Sequence, residues 1–220
     1  MTAPFDSTLG SPILPLLALR NDGPASVVAV GGPSALQTQS YRAGALDGAL
    51  RDLATGTPQL HAIFTTGSAG SGKSAAVEAQ RLANPDLFDD IIEDATHSDS
   101  PNRNQADALR ARLAPLADGG QRPPRPILIA ANTGMLLQLF EGWRPSGDFL
   151  GLEAATLGPL GLSDATPPAD LRVAVLNLDD RPTGGPGGLL GQLLPQLDPD
   201  APDGVMAGAA RCGTCLVTQW

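Results

Sequence analysis

The sequence predicts an α/β domain built on a mostly parallel sheet flanked by helices, with loop-rich termini. Two observations carry that expectation. Short apolar, β-branched runs alternate with segments of helical periodicity in the order strand, helix, strand, helix, strand, helix, strand, the pattern of a parallel sheet joined by crossovers. In addition, several of these strands run into glycine, amide or carboxylate residues, so polar groups collect where an open parallel sheet presents its ligand crevice.

The elements follow in order. Residues 1–56 read as an N-terminal arm and helix, 57–200 as the sheet domain and 201–220 as a C-terminal tail. Pro, Gly and Ser interrupt the arm repeatedly, leaving one short strand expected at 25–30, ASVVAV. Residues 41–56 set Leu46, Leu50 and Leu53 at helical spacing and stop at a glycine. Next come an apolar, β-branched strand at 60–66 and a segment rich in helix formers at 75–84. Ile91 and Ile92 centre a short strand that opens into the polar residues 93–100. A helix over 104–117 carries Leu109, Leu113 and Leu116 along one face. Residues 127–134, ILIAANTG, give a buried strand and a polar turn, and a helix is predicted over 135–143. A further helix is expected at 148–157, a buried strand ending in acids at 171–182, and a helix at 188–197.

Composition narrows the function classes. A chain of 220 residues with 42% hydrophobic content can bury a substantial core. With 26 glycines, 21 prolines and 4% aromatics, long loops should join short elements. The net charge of −9, from 14 cationic and 23 acidic residues, argues against direct bulk nucleic-acid binding, because neutralising phosphates needs clustered Lys and Arg. The apolar run 13–19 is broken by Pro15 and is far shorter than the roughly 20 residues of a membrane span. No basic segment precedes it, so a cytoplasmic protein without membrane contact is expected.

Residues 67–74, GSAGSGKS, match the pattern G-x-x-x-x-G-K-[ST], with a strand before and a helix after. That context makes the α/β domain a P-loop NTPase in expectation. Successive backbone N–H groups must wrap a phosphate, which needs small residues, and the following helix must aim its positive end at the anion. Gly67, Ser68, Ala69, Gly70, Ser71 and Gly72 would form the cradle. Lys73 would reach the β- and γ-phosphates of ATP, and the Ser74 hydroxyl would complete the coordination of Mg2+. A glycine-rich connector is the plainer alternative, but the full pattern arises by chance in only about one chain of this size in a hundred. Lys73 is also the only lysine among 14 cationic residues, placed where a compact, flexible ammonium is needed.

Hydrolysis also needs an acid to hold the metal's water and a polar group near the γ-phosphate. Asp94, 21 residues after Lys73 and at the end of the second strand, is one candidate acid; Asp179 and Asp180, at the end of the last strand, are others. Glu93 should be turned away from Asp94 by strand alternation. Asn132 either reaches the nucleotide through its amide or forms the turn before Thr133 and Gly134. His61 reads as a strand residue with a satisfied ring and His97 as a loop residue. Cys212 and Cys215 have the spacing of half a zinc knuckle, but no second pair exists, so unconnected thiols are expected over a site shared between two chains.

Three stretches in sequence, IFTTGSAGSGKS, EDATHSDSP and ILIAANTGML, resemble the P-loop ATPase component of DNA phosphorothioation-dependent restriction systems, the DptF family. The resemblance covers residues 63–143, and DATHSDSP is its most specific part. It implies that Lys73 and Ser74 form the nucleotide-binding pair. Asp94, Thr96, His97 and Ser98 would be the family's D-A-T-H-S stretch, and Asn132 with Gly134 its N-x-G turn. It further implies other restriction-system proteins as partners, a role in phage defence and the possibility of an oligomer. Members of that family are longer, so the resemblance implies an N-terminal part or a shortened relative without the C-terminal helical lid. The function expected is an ATP-hydrolysing switch. The alternatives are a small-molecule or nucleotide kinase, with DATHSDS holding the acceptor, and a nucleotide-binding scaffold without turnover.

Overall fold

In the computed structural model, which describes residues 44–93 and 105–180, four strands form one all-parallel sheet. They are β1 (Ala62–Thr66), β2 (Asp90–Ile92), β3 (Ile127–Ala130) and β4 (Val173–Asn177), in the spatial order β2-β3-β1-β4. The described residues belong to one compact unit, Ala43–Asp180. The strand expected at 25–30, the helix expected at 188–197 and the tail 201–220 lie outside the described residues.

Five helices of the described residues surround the sheet: α1 (Ala45–Gly56), α2 (Lys73–Ala83), α3 (Gln105–Leu113), α4 (Thr133–Trp143) and α5 (Leu150–Leu157). Their sides follow from the strand order. The connection from β1 to β2 moves one way across the sheet, whereas β2 to β3 and β3 to β4 move the other way. Crossovers of one hand must then place α2 on one face and α3, α4 and α5 on the opposite face. The core divides accordingly. Ala62, Phe64, Ile127 and Ile129 pack with Leu109 and Leu113 of α3, Leu136 and Phe140 of α4 and Leu152 of α5. Ile63, Leu128 and Ala130 pack with Leu50 of α1 and Val77 of α2. Both faces being covered, β1 and β3 are buried throughout, as continuous apolar strands of a parallel sheet must be.

Element boundaries have local causes. The N–H of Gly44 donates to the Asp47 carboxylate at 2.8 Å, fixing the start of α1, which ends at Gly56 as the sequence predicts. The helix expected over 104–117 stops at Leu113 and tightens into a 3-10 turn, Ala114–Leu116. Pro115 supplies no N–H, and its ring would clash with the carbonyl four residues back. Leu109, Leu113 and Leu116 are buried as their spacing predicts. Helix α4 starts two residues earlier than expected because Asn132 Oδ1 accepts the Met135 N–H at 2.7 Å and caps it. The expected buried strand at β4 is half-buried along its length, since among the described residues it pairs only with β1 and forms the sheet's edge.

His61 precedes β1 and extends its ladder with β4: its N–H donates to the Arg172 carbonyl at 2.9 Å, and its Nδ1 accepts the Arg172 N–H at 3.1 Å. The ring is buried and satisfied. Burial, followed by the charge of Arg122, holds its pKa below the ordinary value of 6.5. Below that value the unfolded chain takes up a proton that the folded ring resists, so this contribution to stability is complete above pH 6.5 and declines as pH falls toward the lowered pKa. His61→Asn, which keeps an acceptor but does not titrate, should therefore lose less stability than wild type between about pH 7.5 and about pH 5.5 in chemical denaturation. Equal losses in the two proteins would contradict this.

Candidate functional site

Strand β1 ends at Thr66 and α2 begins at Lys73, so the glycine loop is a strand-to-helix connection at the carboxyl edge of the sheet. Gly67, Gly70 and Gly72 have φ of +131°, +79° and +90°, values that side chains with a Cβ rarely adopt. At Gly67 a second constraint applies, because a Cβ there would lie 3.0 Å from Asp179 Oδ1. Between these glycines the Ser71 N–H donates to the Ser68 carbonyl at 3.3 Å, closing a tight turn. Gly72 is the N-cap of α2 and makes no side-chain cap, so the first N–H groups of the helix have no capping side chain. Among the described residues, a Cβ at Gly70 or Gly72 would meet nothing within 4 Å.

Lys73 turns its amine back onto the loop. It is half-buried, and its Nζ donates to the Gly67 carbonyl at 3.0 Å, the Ser68 carbonyl at 2.6 Å and Ser71 Oγ at 3.2 Å. The ammonium thus closes over the loop that carries it. Ser74 is the second residue of α2, while Ser68, Ala69 and Gly70 are exposed.

The neighbouring strands bring two more candidates to the same edge. β4 pairs with β1 in the register Thr66 to Asn177, and the 3-10 turn Leu178–Asp180 follows. Asp179 there accepts the Ser68 N–H at 2.8 and 2.9 Å through its two oxygens, and Ser68 Oγ donates to it at 2.7 Å. These backbone and side-chain hydrogen bonds, helped by the charge of Lys73, hold its pKa below the usual carboxylate range. Asn177 shapes the turn: its Oδ1 accepts the Asp179 N–H at 3.2 Å and its Nδ2 donates to Asp180 at 3.0 Å. On the other side, the Ala131 N–H donates to the Thr65 carbonyl at 3.1 Å, which sets Asn132 just beyond β1. Since Asn132 Oδ1 caps α4, only its Nδ2 hydrogens can serve a further acceptor. Thr66 Oγ1 is fully buried at this edge and makes no hydrogen bond. Nothing in the strand's sequence distinguishes that hydroxyl from Thr65, whose Oγ1 donates to the Ile129 carbonyl at 3.1 Å.

Beyond β2, Glu93 is held by α2 in an arrangement the sequence reading missed. Arg81 meets Glu93 at 2.8 Å and forks onto the buried Glu78 with two contacts of 2.5 Å. The Arg81 fork keeps the Glu78 pKa low, whereas burial and then the hydrogen bond to Glu78 push Glu93 up. The only signal was Glu78 and Arg81 three apart on a helix. Asp94, Thr96, His97, Ser98, Cys212 and Cys215 lie outside the described residues. Among the described residues, no group of three or more His, Cys, Asp or Glu is placed to hold a metal, and no helix is long and apolar enough to cross a membrane. Comparison with protein-family models, curated proteins and solved structures finds no match.

Arg81→Ala would leave the Glu78 carboxylate buried without its cation. It should lower unfolding free energy by about 1–3 kcal/mol, and Glu78→Gln in the same background should recover part of the loss. Denaturant titration of the single and double variants measures both, and additive losses would contradict the pairing.

Proposed function

We propose that the chain is a P-loop NTPase that binds ATP with Mg2+ and hydrolyses it as a switch. The supporting observation is the loop itself: three glycines at positive φ lead into an uncapped helix N-terminus, with a lysine amine over the loop at the end of the central strand. An α/β crevice outside the carboxyl ends of the strands is where such folds take ligands, and the N–H groups of a helix's first turn favour an anion there.

In this reading the amides from Gly70 to Ser74 hold the phosphates. Lys73 exchanges loop carbonyls for phosphate oxygens, placing positive charge where the γ-phosphate gathers negative charge as water attacks. Asn132 offers Nδ2–H donors from the adjacent strand. Ser74 and Asp94 would hold Mg2+, which would supply further charge neutralisation. A place in a bacterial DNA-restriction and phage-defence complex rests on the resemblance of the three sequence stretches to the DptF family.

Purified protein with Mg·ATP separates the possibilities. Phosphate release in water alone is the expected result; release only with an added acceptor would make the protein a kinase, and binding without release a scaffold. Lys73→Ala should weaken ATP binding by roughly 10- to 150-fold with unchanged far-UV circular dichroism, the range for losing charged hydrogen bonds. Unchanged affinity would refute the phosphate-loop reading. Asp94→Asn should slow hydrolysis much more than it weakens binding; the opposite pattern would remove Asp94 from the metal's water.

A further inference from the structure

Both backbone polar groups of Ser68 are held, and by side chains of opposite charge. Its N–H is taken by both oxygens of Asp179 and its carbonyl by Lys73 Nζ. The Asp179 turn is itself fixed by Asn177, whose strand pairs with β1. Only the lysine's hold can be given up when a phosphate arrives, since the ammonium is the group that must turn to the anion.

We propose that Asp179 is a positioning residue, which fastens the first turn of the glycine loop to the end of β4 so that the loop keeps its shape while Lys73 moves from loop carbonyls to phosphate. The role rests on the phosphate-binding reading of the loop. Two other roles for this carboxylate fit the geometry less well. A plug would have to cover the amides at the helix N-terminus, yet Asp179 binds Ser68, five residues earlier, and touches none of them among its hydrogen bonds. A metal ligand would direct its oxygens outward, yet both accept from one backbone N–H. Gly67 permits this approach, because any Cβ at that position would press on Asp179 Oδ1 at 3.0 Å.

The three roles separate in Asp179→Ala and Asp179→Asn, since asparagine keeps an acceptor for the Ser68 N–H and discards the charge. Asp179 is exposed, so neither change disturbs the core. Affinity is read by calorimetry with pyrophosphate in the absence of metal and with Mg·ATP, and the loop by amide hydrogen exchange at Ser68 in ligand-free protein. The tether requires that alanine speed Ser68 exchange and weaken pyrophosphate binding by roughly 5- to 30-fold, and that asparagine restore both to near wild type. Tighter binding in both variants would make Asp179 a plug, and a loss confined to Mg·ATP in both would make it a metal ligand; either result overturns the proposal. Wild-type protein that binds neither ligand would sink the phosphate reading beneath it, whereas wild-type binding matched by the alanine variant would sink only the tether.

Discussion

Strand β1 is paired along its length on both sides, with β3 from Ala62 to Thr65 and with β4 from Ala62 to Thr66, and both of its faces are buried. Its two edges and two faces are therefore occupied, and the chain can leave only outward at the carboxyl end. The crossover to β2 must pass over β3, so the chain turns sharply from the strand into α2. That turn is the glycine loop. Its three positive φ values and the contact of Gly67 with Asp179 follow from making the turn tightly beside a neighbouring strand's end. The parallel pairing does the rest, since it brings the ends of β3 and β4, with Asn132 and Asp179, to either side of the same loop.

Electrostatics at this edge are local. The chain carries a net charge of −9, yet its one lysine lies over the loop, and Asp179, a carboxylate at the same edge, is turned onto Ser68. Arginines serve the structural pairs instead: Arg81 with Glu78 and Glu93, Arg112 with Asp90 at 2.6 Å, Arg144 with Glu153 at 2.5 Å. A guanidinium suits such fixed forks, and a flexible ammonium suits a group that must change partners. The Arg81 contacts also tie α2 to the residue from which the chain leaves β2, joining the helix after the glycine loop to the segment that opens with Asp94.

Much of this was legible in the sequence because it rests on local rules. Leu50, Leu109, Leu113 and Leu116 are buried where helical spacing put them, and the four strands stand where apolar runs end in polar residues. The glycine loop was legible for the same reason, as its shape is set by residues adjacent in sequence. What was not legible depends on pairs far apart in the chain. Asp179 meets Ser68 across 111 residues, and only the strand order β2-β3-β1-β4 makes them neighbours. The capping by Asn132 and the early stop at Pro115 followed known preferences, but the sequence alone left the choice between turn and ligand at Asn132 open. The half-buried β4 was misjudged because apolar content does not reveal which strand will lie at an edge.

The central claim is that the amides between Gly70 and Ser74 form an anion cradle. Backbone amide chemical shifts of the isotopically labelled full chain, titrated first with pyrophosphate and then with Mg·ATP, test it most directly. The result expected is a saturable set of large shifts at Gly70, Ser71, Gly72, Lys73 and Ser74, with β2 and the amino ends of the strands unchanged. Titration that leaves those five amides unmoved, or moves a different region of the domain, would contradict the account.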